Sequence, residues 1–538
     1  MALNIAIVGG GPTGVYALHA LVAAAEPCFI TLFERSGMAG VGMPYSPQFA
    51  TINMLANIGS IEIPPLTETY QAWLQRQPAS FLAPYGVDGT AISDRGFYPR
   101  ILLGMFFRDQ LELLVIHGRQ HGHRIAIREQ QNVVDLAADD HGVRLTIAGR
   151  EGETQLSFDR AIIASGHDWG SANLPNGVVL PNPWTGLIDA PQIGPRIAIL
   201  GTSLSGIDAV VAVAGRIGTF DRTAEGLVFT RHDADDRTHV TMASRTGLLP
   251  ETDFYCPLPY EACAVFTPAA VAACVSQGQD GLLDRLFALF MAEIDVADPA
   301  FAAHLREVDA NADTVFGAMF ARRQASDPFA WARADLAQSV ANASARHTIP
   351  WRYAVLRMHE AFSDHYAEMS RDDRRRFDGS LRKVFVDNYA AVPPLSMERL
   401  IALADAGLLS IEALGADYAI AARADVPGFT IAVGQDTLAC DTLIDARGQR
   451  SLTVGSLPFP TLRAQIGEGE NALESVLTDS FGLDLSPGEP PAIYLAAISF
   501  LMAQHPFIQG LPGSHEIAVA VCADLLGSTV EEEALRTA

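Results

Sequence analysis

Residues 4–34 read NIAIVGGGPTGVYALHALVAAAEPCFITLFE, and they give the clearest indication of the fold. An apolar run, Ile5–Val8, predicts a short strand that leads straight into a glycine-rich turn. The turn is followed by an apolar helical pattern over residues 12–25 and by a second strand pattern over residues 29–33. A strand, a glycine turn, a helix and a second strand in this order predict the first unit of a dinucleotide-binding domain.

Each position of this turn has a physical reason. Gly9 allows the tight turn, Gly11 lets the backbone approach a pyrophosphate, and Gly14 lets the helix pack closely against the strand. Glu34, 20 residues past Gly14, can accept hydrogen bonds from a ribose. The N-terminus of the helix supplies the positive end of the helix dipole. The predicted residues of this first site are Gly9, Gly11, Pro12, Thr13, Gly14, Glu34 and Arg35.

Two later strands share one ending, and this ending indicates that the first dinucleotide is FAD. The sequence FDRAIIASGHDWG (158–170) contains a strand that runs into Ser165 and Gly166. The sequence CDTLIDARGQ (440–449) ends in the same small-x-Gly turn at Gly448. Flavoproteins with two dinucleotide-binding domains often carry such a strand where the chain leaves the FAD domain. We therefore add Ser165, Gly166 and Gly448 to the predicted FAD site.

A second glycine turn lies between these two strands, in IAILGTSLSGIDAVVAV (197–213). This order is typical of a flavoprotein whose NAD(P)-binding domain is inserted into its FAD domain. Ser203 stands where the middle glycine is expected, so a Cβ and a hydroxyl occupy the place where the backbone would approach phosphate. The hydroxyl can itself donate to phosphate, which favours a weakened or redirected NAD(P) site; the alternative is a vestigial turn kept for packing. The predicted residues are Gly201, Thr202, Ser203, Leu204, Ser205 and Gly206.

The next strand pattern, HVTMASRTG (239–247), ends in Ser244 and Arg245. An arginine at this place suits a 2′-phosphate, and no acid is present for a free 2′-hydroxyl, so the sequence favours NADPH over NADH. Arg245 lies 39 residues past Gly206 instead of the usual ~20. The intervening residues FDRTAEGLVFTRHDADDRT are expected to form a charged surface insertion.

Composition limits the function further. A chain of 538 residues with 49% hydrophobic and 18% charged residues predicts two or three folded domains. A net charge of −25 disfavours nucleic acid and anionic membranes as partners. None of the six cysteines forms a C-x-x-C pattern, so we expect reduced thiols, no metal site and no redox pair. No apolar run approaches the ~20 residues of a membrane span, and a strand pattern begins the chain, so we expect a cytoplasmic protein without a signal peptide.

The remaining chain is predicted to be mostly helical in its middle and α/β at its end. A helical insertion over residues 256–395 could cover the substrate and makes a homodimer plausible. A final helix from about Ser514 would point its N-terminus at the flavin, and His515 is included in the predicted FAD site. The predicted domains are a first FAD-binding part (1–170), an NAD(P)-binding core (171–255), the helical insertion (256–395) and the remainder of the NAD(P) and FAD domains with a C-terminal FAD-binding segment (396–538).

Several of these segments together resemble a bacterial family of FAD–NAD(P)-binding proteins that includes FAD-dependent urate hydroxylases and amino-acid N-monooxygenases. The resemblance rests on IAIVGGGPTGVYAL, ATINMLAN (50–57), FYPRILLGMFF (97–107), AIIASGH, LGTSLSGID and SRTGLLP (244–250). It implies an α/β fold with an NAD(P) domain inserted into an FAD domain, and it implies that Asn53 and Arg100 lie near the FAD. The family commonly has a glycine where Ser203 stands.

The hypothesis for function is a single-component monooxygenase. NADPH would reduce FAD, and a flavin C4a-hydroperoxide formed with O2 would oxygenate a small polar substrate such as an amine, an amino acid or a purine-like compound. The cofactor carries this chemistry, so no catalytic side chain is assigned. Two alternatives remain, an NAD(P)H oxidase or electron-transfer reductase, and a non-catalytic FAD-binding module with a vestigial NAD(P) site.

Overall fold

The computed structural model divides the chain into two compact units, and it supports the predicted α/β class. The first unit comprises Met1–Ile52, Ile58–Asp168 and Gln449–Ala538, and the second comprises Asn53–Asn57 and Trp169–Gly448. The predicted domain boundary at residues 170 and 171 lies outside the described residues, and the predicted boundaries stay predictions. The structure describes residues 2–150, 152–166, 178–180, 187–188, 193–424, 426–448, 451–469, 472–486 and 488–527.

Strands and helices alternate along most of the chain. In chain order, the strands are β1 (Asn4–Val8), β2 (Phe29–Glu34), β3 (Arg124–Glu129), β4 (Asn132–Asp139), β5 (Gly142–Gly149), β6 (Gly152–Phe158), β7 (Arg160–Ile163), β8 (Val178–Leu180), β9 (Arg196–Leu200), β10 (Gly218–Thr223), β11 (Gly226–Arg231), β12 (His239–Ser244), β13 (Leu409–Ala413), β14 (Tyr418–Ala422), β15 (Phe429–Val433), β16 (Asp436–Cys440), β17 (Thr442–Asp445) and β18 (Ile493–Leu495). The helices are α1 (Pro12–Val22), α2 (Tyr70–Gln75), α3 (Ala79–Leu82), α4 (Arg100–Gln120), α5 (Leu204–Ile217), α6 (Pro268–Val275), α7 (Leu282–Ala297), α8 (Pro299–Glu307), α9 (Val315–Gln324), α10 (Pro328–Ala345), α11 (Pro350–Asp364), α12 (Arg371–Gly379), α13 (Leu381–Tyr389), α14 (Pro394–Asp405), α15 (Pro460–Ile466), α16 (Ile498–Leu501) and α17 (Gly510–Leu526).

The first unit is built on a parallel sheet with the strand order β18-β7-β1-β2-β3 among the described residues. Its central strand β1 is apolar because it is covered on both faces, and Ile5 and Ile7 are fully buried. Helix α1 packs against α17, and β4, β5 and β6 form an antiparallel meander that lies between β3 and β7 along the chain. The first strand lies in the middle of the sheet, where a nucleotide-binding turn is expected at its carboxyl end.

The second unit repeats this arrangement. Its parallel sheet has the order β13-β12-β9-β17-β8, and β14, β15 and β16 form the corresponding meander in the described part of the chain. The expected surface insertion is a β-hairpin of β10 and β11, which lies between α5 and β12. This hairpin explains why the strand that ends at Ser244 comes so late after the glycine turn.

Along the chain, a helical region, α6–α13, lies between β12 and the elements α14 and β13. Its core is aromatic, with the ring of Phe362 lying 5.1 Å from that of Phe266 and 4.9 Å from that of Phe385. The side chain of Glu293, 1% exposed, accepts hydrogen bonds from the backbone N–H groups of Ala264, Val265 and Phe266. Of the helices that the structure describes, none has the length and apolar character to cross a membrane.

Candidate nucleotide-binding sites

The first turn holds its outer glycines in places where no other residue fits. Gly9 has φ +114°, and an ideal Cβ on it would lie 2.2 Å from the carbonyl oxygen of Ala164. A Cβ on Gly14 would lie 2.1 Å from the carbonyl oxygen of Gly9. The turn is closed by hydrogen bonds from Gly9 N to Phe33 O (2.9 Å) and from Ala164 N to Val8 O (2.8 Å). These two glycines therefore let β1, β7 and α1 approach one another closely.

The middle glycine has a different role. Gly11 is the N-cap of α1 and has φ −78°, which any residue can adopt. A Cβ built on it would meet only the Cα of Gly42, at an ordinary 3.4 Å. The backbone does not need a glycine at this position, so the missing side chain leaves room at the N-terminus of α1. That is the place where a pyrophosphate would bind the unpaired N–H groups of the helix.

Glu34 is held at the same turn. Its Oε2 accepts a hydrogen bond from Gly10 N (3.0 Å) and its Oε1 accepts one from Ser36 N (2.7 Å). A carboxylate has about four lone-pair positions, so acceptor capacity remains for the hydroxyls of a ribose. The geometry fits the predicted role of Glu34, while its neighbour Arg35 is exposed.

The C-terminal part of the chain returns to this turn within the first unit. Thr13 Oγ1 donates to Ser514 Oγ near the start of α17 (3.1 Å), and the ring of His515 lies edge-on to Tyr16 at 5.2 Å. Ser499 Oγ donates to the carbonyl of Gly166 (3.0 Å), and Ser165 beside it is exposed. Within the first unit, the start of α17 therefore contacts α1, and the turn that follows β7 contacts α16.

Two predicted FAD residues, Arg100 and Asn53, lie outside the first glycine turn, and they belong to different units. Arg100 is the first residue of α4 and is half-buried. Burial of Tyr45 raises the pKa of its hydroxyl, and the positive charge of Arg100 offsets part of that rise. Asn53 belongs to the second unit, where its carbonyl accepts a hydrogen bond from Arg399 of α14 (2.5 Å). The role of both residues at FAD stays a prediction.

The second turn repeats the geometry of the first. Gly201 has φ +118°, and a Cβ on it would lie 2.5 Å from the carbonyl oxygen of Ala446. A Cβ on Gly206 would lie 2.4 Å from the carbonyl oxygen of Gly201. Hydrogen bonds run from Gly201 N to Ala243 O (2.7 Å) and from Ala446 N to Leu200 O (2.8 Å), as in the first turn. Gly448, which follows Ala446 at the end of β17, is exposed at this turn and lies in the second unit.

Ser203 occupies the position that corresponds to Gly11. It is the N-cap of α5, with φ −101° and ψ −161°, an extended conformation that suits any residue. Its side chain is exposed and makes no capping hydrogen bond to the helix, which begins with Leu204 and Ser205. The serine therefore keeps the shape of the turn and leaves its hydroxyl at the N-terminus of α5, where a phosphate oxygen could accept from it.

The residues after β12 complete this edge of the second sheet. Thr202 Oγ1 lies 2.5 Å from Leu248 O and 3.1 Å from Ser244 Oγ, and Gly247 N donates to Ser244 Oγ (3.1 Å). These bonds make Thr202 and Ser244 part of the framework. The carbonyl of Arg245 accepts a hydrogen bond from Gly415 N (3.0 Å). Its side chain is exposed and has no hydrogen-bond or ion-pair partner among the described residues, so the guanidinium can meet a ligand. A cavity of ≈ 230 Å³ opens beside it, lined by Thr246, Gly247, Leu248, Leu249, Pro250, Arg323, Gln324, Ser326, Pro328, Trp331, Ala332, Ile411 and Ala413.

Two further features concern the pairing of the cysteines and the clustering of the acidic, histidine and cysteine side chains. All six cysteines are free thiols, and burial raises the pKa of Cys522 well above its usual value. No group of three or more His, Cys, Asp or Glu side chains that could hold a metal ion is found among the described residues.

Two family models match the chain, one described as FAD-NAD(P)-binding over residues 6–168 and one described as the YdhS-like middle domain over residues 267–389. The uncharacterized protein YdhS of Escherichia coli (strain K12) is 42% identical over 519 residues, 96% of this chain and 96% of that protein. The matches confirm the predicted FAD–NAD(P)-binding class.

Solved structures with the same fold include an ornithine N-hydroxylase and a cadaverine monooxygenase. The Kutzneria sp. 744 ornithine N-hydroxylase, with reduced FAD, NADP+ and L-ornithine, has a TM-score of 0.50, 14% identity and coverage of 98% of this chain and 99% of that chain. The cadaverine monooxygenase DfoA of Erwinia amylovora, bound to FAD, has a TM-score of 0.52, 10% identity and coverage of 98% and 95%. This likeness confirms the predicted fold with two dinucleotide-binding domains.

Proposed function

The chain belongs to the YdhS-like family of FAD–NAD(P)-binding proteins, and on this basis we propose that it is an FAD-dependent oxidoreductase, a monooxygenase that uses NADPH to oxygenate a small polar substrate. The observation that carries the proposal is the repeated turn. Gly9 and Gly201 have nearly the same φ, and each abuts the carbonyl of the alanine that directly follows a neighbouring parallel strand. Two turns of one geometry, in two units, suit two dinucleotides.

FAD, when bound and reduced by NADPH, supplies the activation of O2. The chain contributes binding and orientation. At the first turn, the open face of Gly11 admits the pyrophosphate and Glu34 accepts from the ribose. At the second turn, the Ser203 hydroxyl and the N-terminus of α5 bind the pyrophosphate of NADPH, and Arg245 binds its 2′-phosphate.

Ser203 bears on the main alternative, a vestigial second site. Gly201 and Gly206 stand where a Cβ would meet backbone at 2.5 and 2.4 Å. Packing alone also needs these glycines, so they support the shape of the site. The unused, exposed hydroxyl of Ser203 supports ligand binding more directly, because it makes no capping hydrogen bond within the described chain.

Amines are the first substrate class to test. The fold is shared with enzymes named for ornithine and cadaverine, and both names denote a primary amine. Amino acids and purine-like compounds are the next classes to test, because the sequence motifs resemble those of amino-acid N-monooxygenases and urate hydroxylases. In each case the oxygen acceptor would be a nucleophilic nitrogen or carbon of a small polar molecule.

The experiment begins with the purified protein carrying FAD, to which NADPH is added without oxygen. Loss of the visible flavin absorbance supports a working second site, whereas an unchanged spectrum with NADPH and NADH contradicts it. Oxygen is then admitted with an amine or with its N-acetylated form as the matched control. A hydroxylated product from the free amine alone supports the monooxygenase. Hydrogen peroxide equal to the NADPH consumed, without product from any amine, amino acid or purine, indicates the oxidase alternative.

A further inference from the structure

Lys383 is the only lysine in a chain that has 36 arginines. It lies on α13 of the helical region with an exposed side chain, and its Nζ is 5.4 Å from the centre of the Phe316 ring. No carboxylate forms an ion pair with Lys383 within the residues that the structure describes. In a chain of net charge −25, an accessible amine without an acidic partner needs an explanation.

A buried arginine fastens the helix of Lys383 to the segment that follows β12. Arg323, 4% exposed, donates to the carbonyl of Leu249 and to both carboxylate oxygens of Asp387 (2.8 and 3.0 Å). Leu249 lies four residues after Arg245, and Asp387 lies four residues after Lys383. Residues four apart on a helix share a face, so the bond to Asp387 turns the face of Lys383 toward the end of β12.

A row of aromatic rings connects Arg323 to Lys383. The guanidinium of Arg323 lies 5.4 Å from the Phe320 ring, and that ring lies 4.8 Å from Phe316, on which the lysine amine rests. Partial burial is the larger cause that lowers the pKa of Lys383, and the positive charge of Arg245 is the smaller one. Lys383 and Arg245 therefore lie on two segments that Arg323 ties together, and both side chains are positively charged. Repulsion between two like charges without an acidic partner is relieved by an anion.

We propose that Lys383 and Arg245 together bind the 2′-phosphate of NADPH, so that the helical region helps to select the nucleotide of the second turn. The proposal deepens the proposed function and rests on it for the place of the nucleotide. Arg245 follows Ser244, whose hydroxyl is 3.1 Å from Thr202 of the glycine turn, so Arg245 lies beside the turn that would hold the pyrophosphate. Arg323 ties the helix of Lys383 to the segment that follows Arg245. A phosphate dianion carries two negative charges, and the two side chains together supply the two positive charges that match it.

The test compares 2′,5′-ADP with 5′-AMP, two ligands that differ by the 2′-phosphate. Their dissociation constants are measured by calorimetry on the FAD-loaded protein and on Lys383→Met, which keeps an apolar stem over Phe316. We expect Lys383→Met to weaken 2′,5′-ADP roughly tenfold or more, as for a charge-assisted hydrogen bond, and to change 5′-AMP less than about twofold. Lys383→Arg should restore most of the selectivity.

The matched control is Arg382→Gln. It removes one positive charge from the neighbouring position of α13, where Arg382 pairs with Asp378 (3.0 Å). If Arg382→Gln lowers the selectivity as much as Lys383→Met does, the effect is one of net charge and the proposal is wrong. If Lys383→Met keeps the selectivity of the unmodified protein while NADPH still reduces FAD, the proposal is wrong and the proposed function stands.

A second measurement uses the uniqueness of this lysine. Reductive methylation with ¹³C-formaldehyde labels one ε-amino group, and the α-amino group serves as an internal reference. Binding of 2′,5′-ADP should shift the Lys383 resonance and raise its pKa, because a phosphate stabilises the charged amine. The same shift produced by inorganic phosphate at equal concentration would indicate a general anion site and overturn the assignment to the nucleotide. If 2′,5′-ADP does not bind and NADPH does not reduce FAD, the nucleotide site itself fails.

Discussion

Replacing Gly201 with alanine should disable the second nucleotide turn while leaving the FAD in place. The new Cβ would lie 2.5 Å from the carbonyl oxygen of Ala446, about 0.5 Å closer than real Cβ contacts come. In addition, φ of +118° is a conformation that alanine rarely adopts and that costs roughly 1–3 kcal/mol. Relief of both requires the turn to move away from β17, so the N-terminus of α5 no longer faces the pyrophosphate.

The combined cost of about 2–4 kcal/mol corresponds to a dissociation constant for NADPH that rises roughly 30- to 1,000-fold. The assay is anaerobic reduction of the bound flavin over a range of NADPH concentrations, followed by its visible absorbance. The flavin spectrum of the variant also reports that the first unit is folded. Gly201→Ala with an unchanged NADPH dependence would refute the assignment of the nucleotide to this turn.

Two further variants provide the comparison. Gly9→Ala places a Cβ 2.2 Å from the carbonyl of Ala164 and should yield protein with little or no FAD. Ser203→Gly changes a residue whose φ of −101° needs no glycine, so it should alter stability by only a few tenths of a kcal/mol. Because the Ser203 hydroxyl is proposed to bind phosphate, Ser203→Gly should also weaken the binding of NADPH several-fold, and tighter binding of NADPH would contradict that role.

Three smaller perturbations test the packing of the first unit. Burial, and to a smaller extent a neighbouring histidine, lower the pKa of His19 to about 4, so below pH 6.5 the folded protein binds fewer protons than the unfolded chain. The free energy of unfolding is therefore highest above pH 6.5 and should fall by about 2 kcal/mol at pH 5. His19→Gln should remove this loss, as measured by urea titration at both pH values. Asp159→Ala loses the bond from Asn4 N (2.7 Å) and should lower the free energy of unfolding by about 1 kcal/mol in the same titration. Ser514→Ala leaves the Thr13 hydroxyl without its acceptor and should speed the release of flavin on dilution, and an unchanged release rate would contradict a role for this contact.

Local patterns of the sequence carried the prediction of both turns. A G-x-G-x-x-G spacing after an apolar strand depends only on neighbouring residues, and the structure has β1 and α1 within a few residues of the expected bounds. The small-x-Gly endings were informative because the alanines Ala164 and Ala446 are the residues against which the turn glycines pack. The sequence could therefore reveal the repeated arrangement without any knowledge of long-range contacts.

The missed features depend on contacts between distant segments. Asn53 follows the first unit in sequence, yet its carbonyl accepts a hydrogen bond from Arg399, 346 residues later, and it belongs to the second unit. Lys383 lies on a helix that has no nucleotide motif, and the bonds of Arg323 tie that helix to the segment that follows β12. No periodicity or spacing encodes such pairings, although the presence of a single lysine was visible in the composition.

The departure at Ser203 is explained by comparing the three glycine positions of the two turns. Gly9 and Gly14, like Gly201 and Gly206, are fixed by contacts of 2.1–2.5 Å that their Cβ atoms would make with backbone. The middle position has ordinary φ in both turns, −78° at Gly11 and −101° at Ser203, so only the ligand restricts its side chain. A serine at this position is consequently weak evidence for a lost site, because it changes nothing that the fold itself requires. Its effect has to appear in phosphate binding, where a small hydroxyl at a helix N-terminus can donate as well as obstruct.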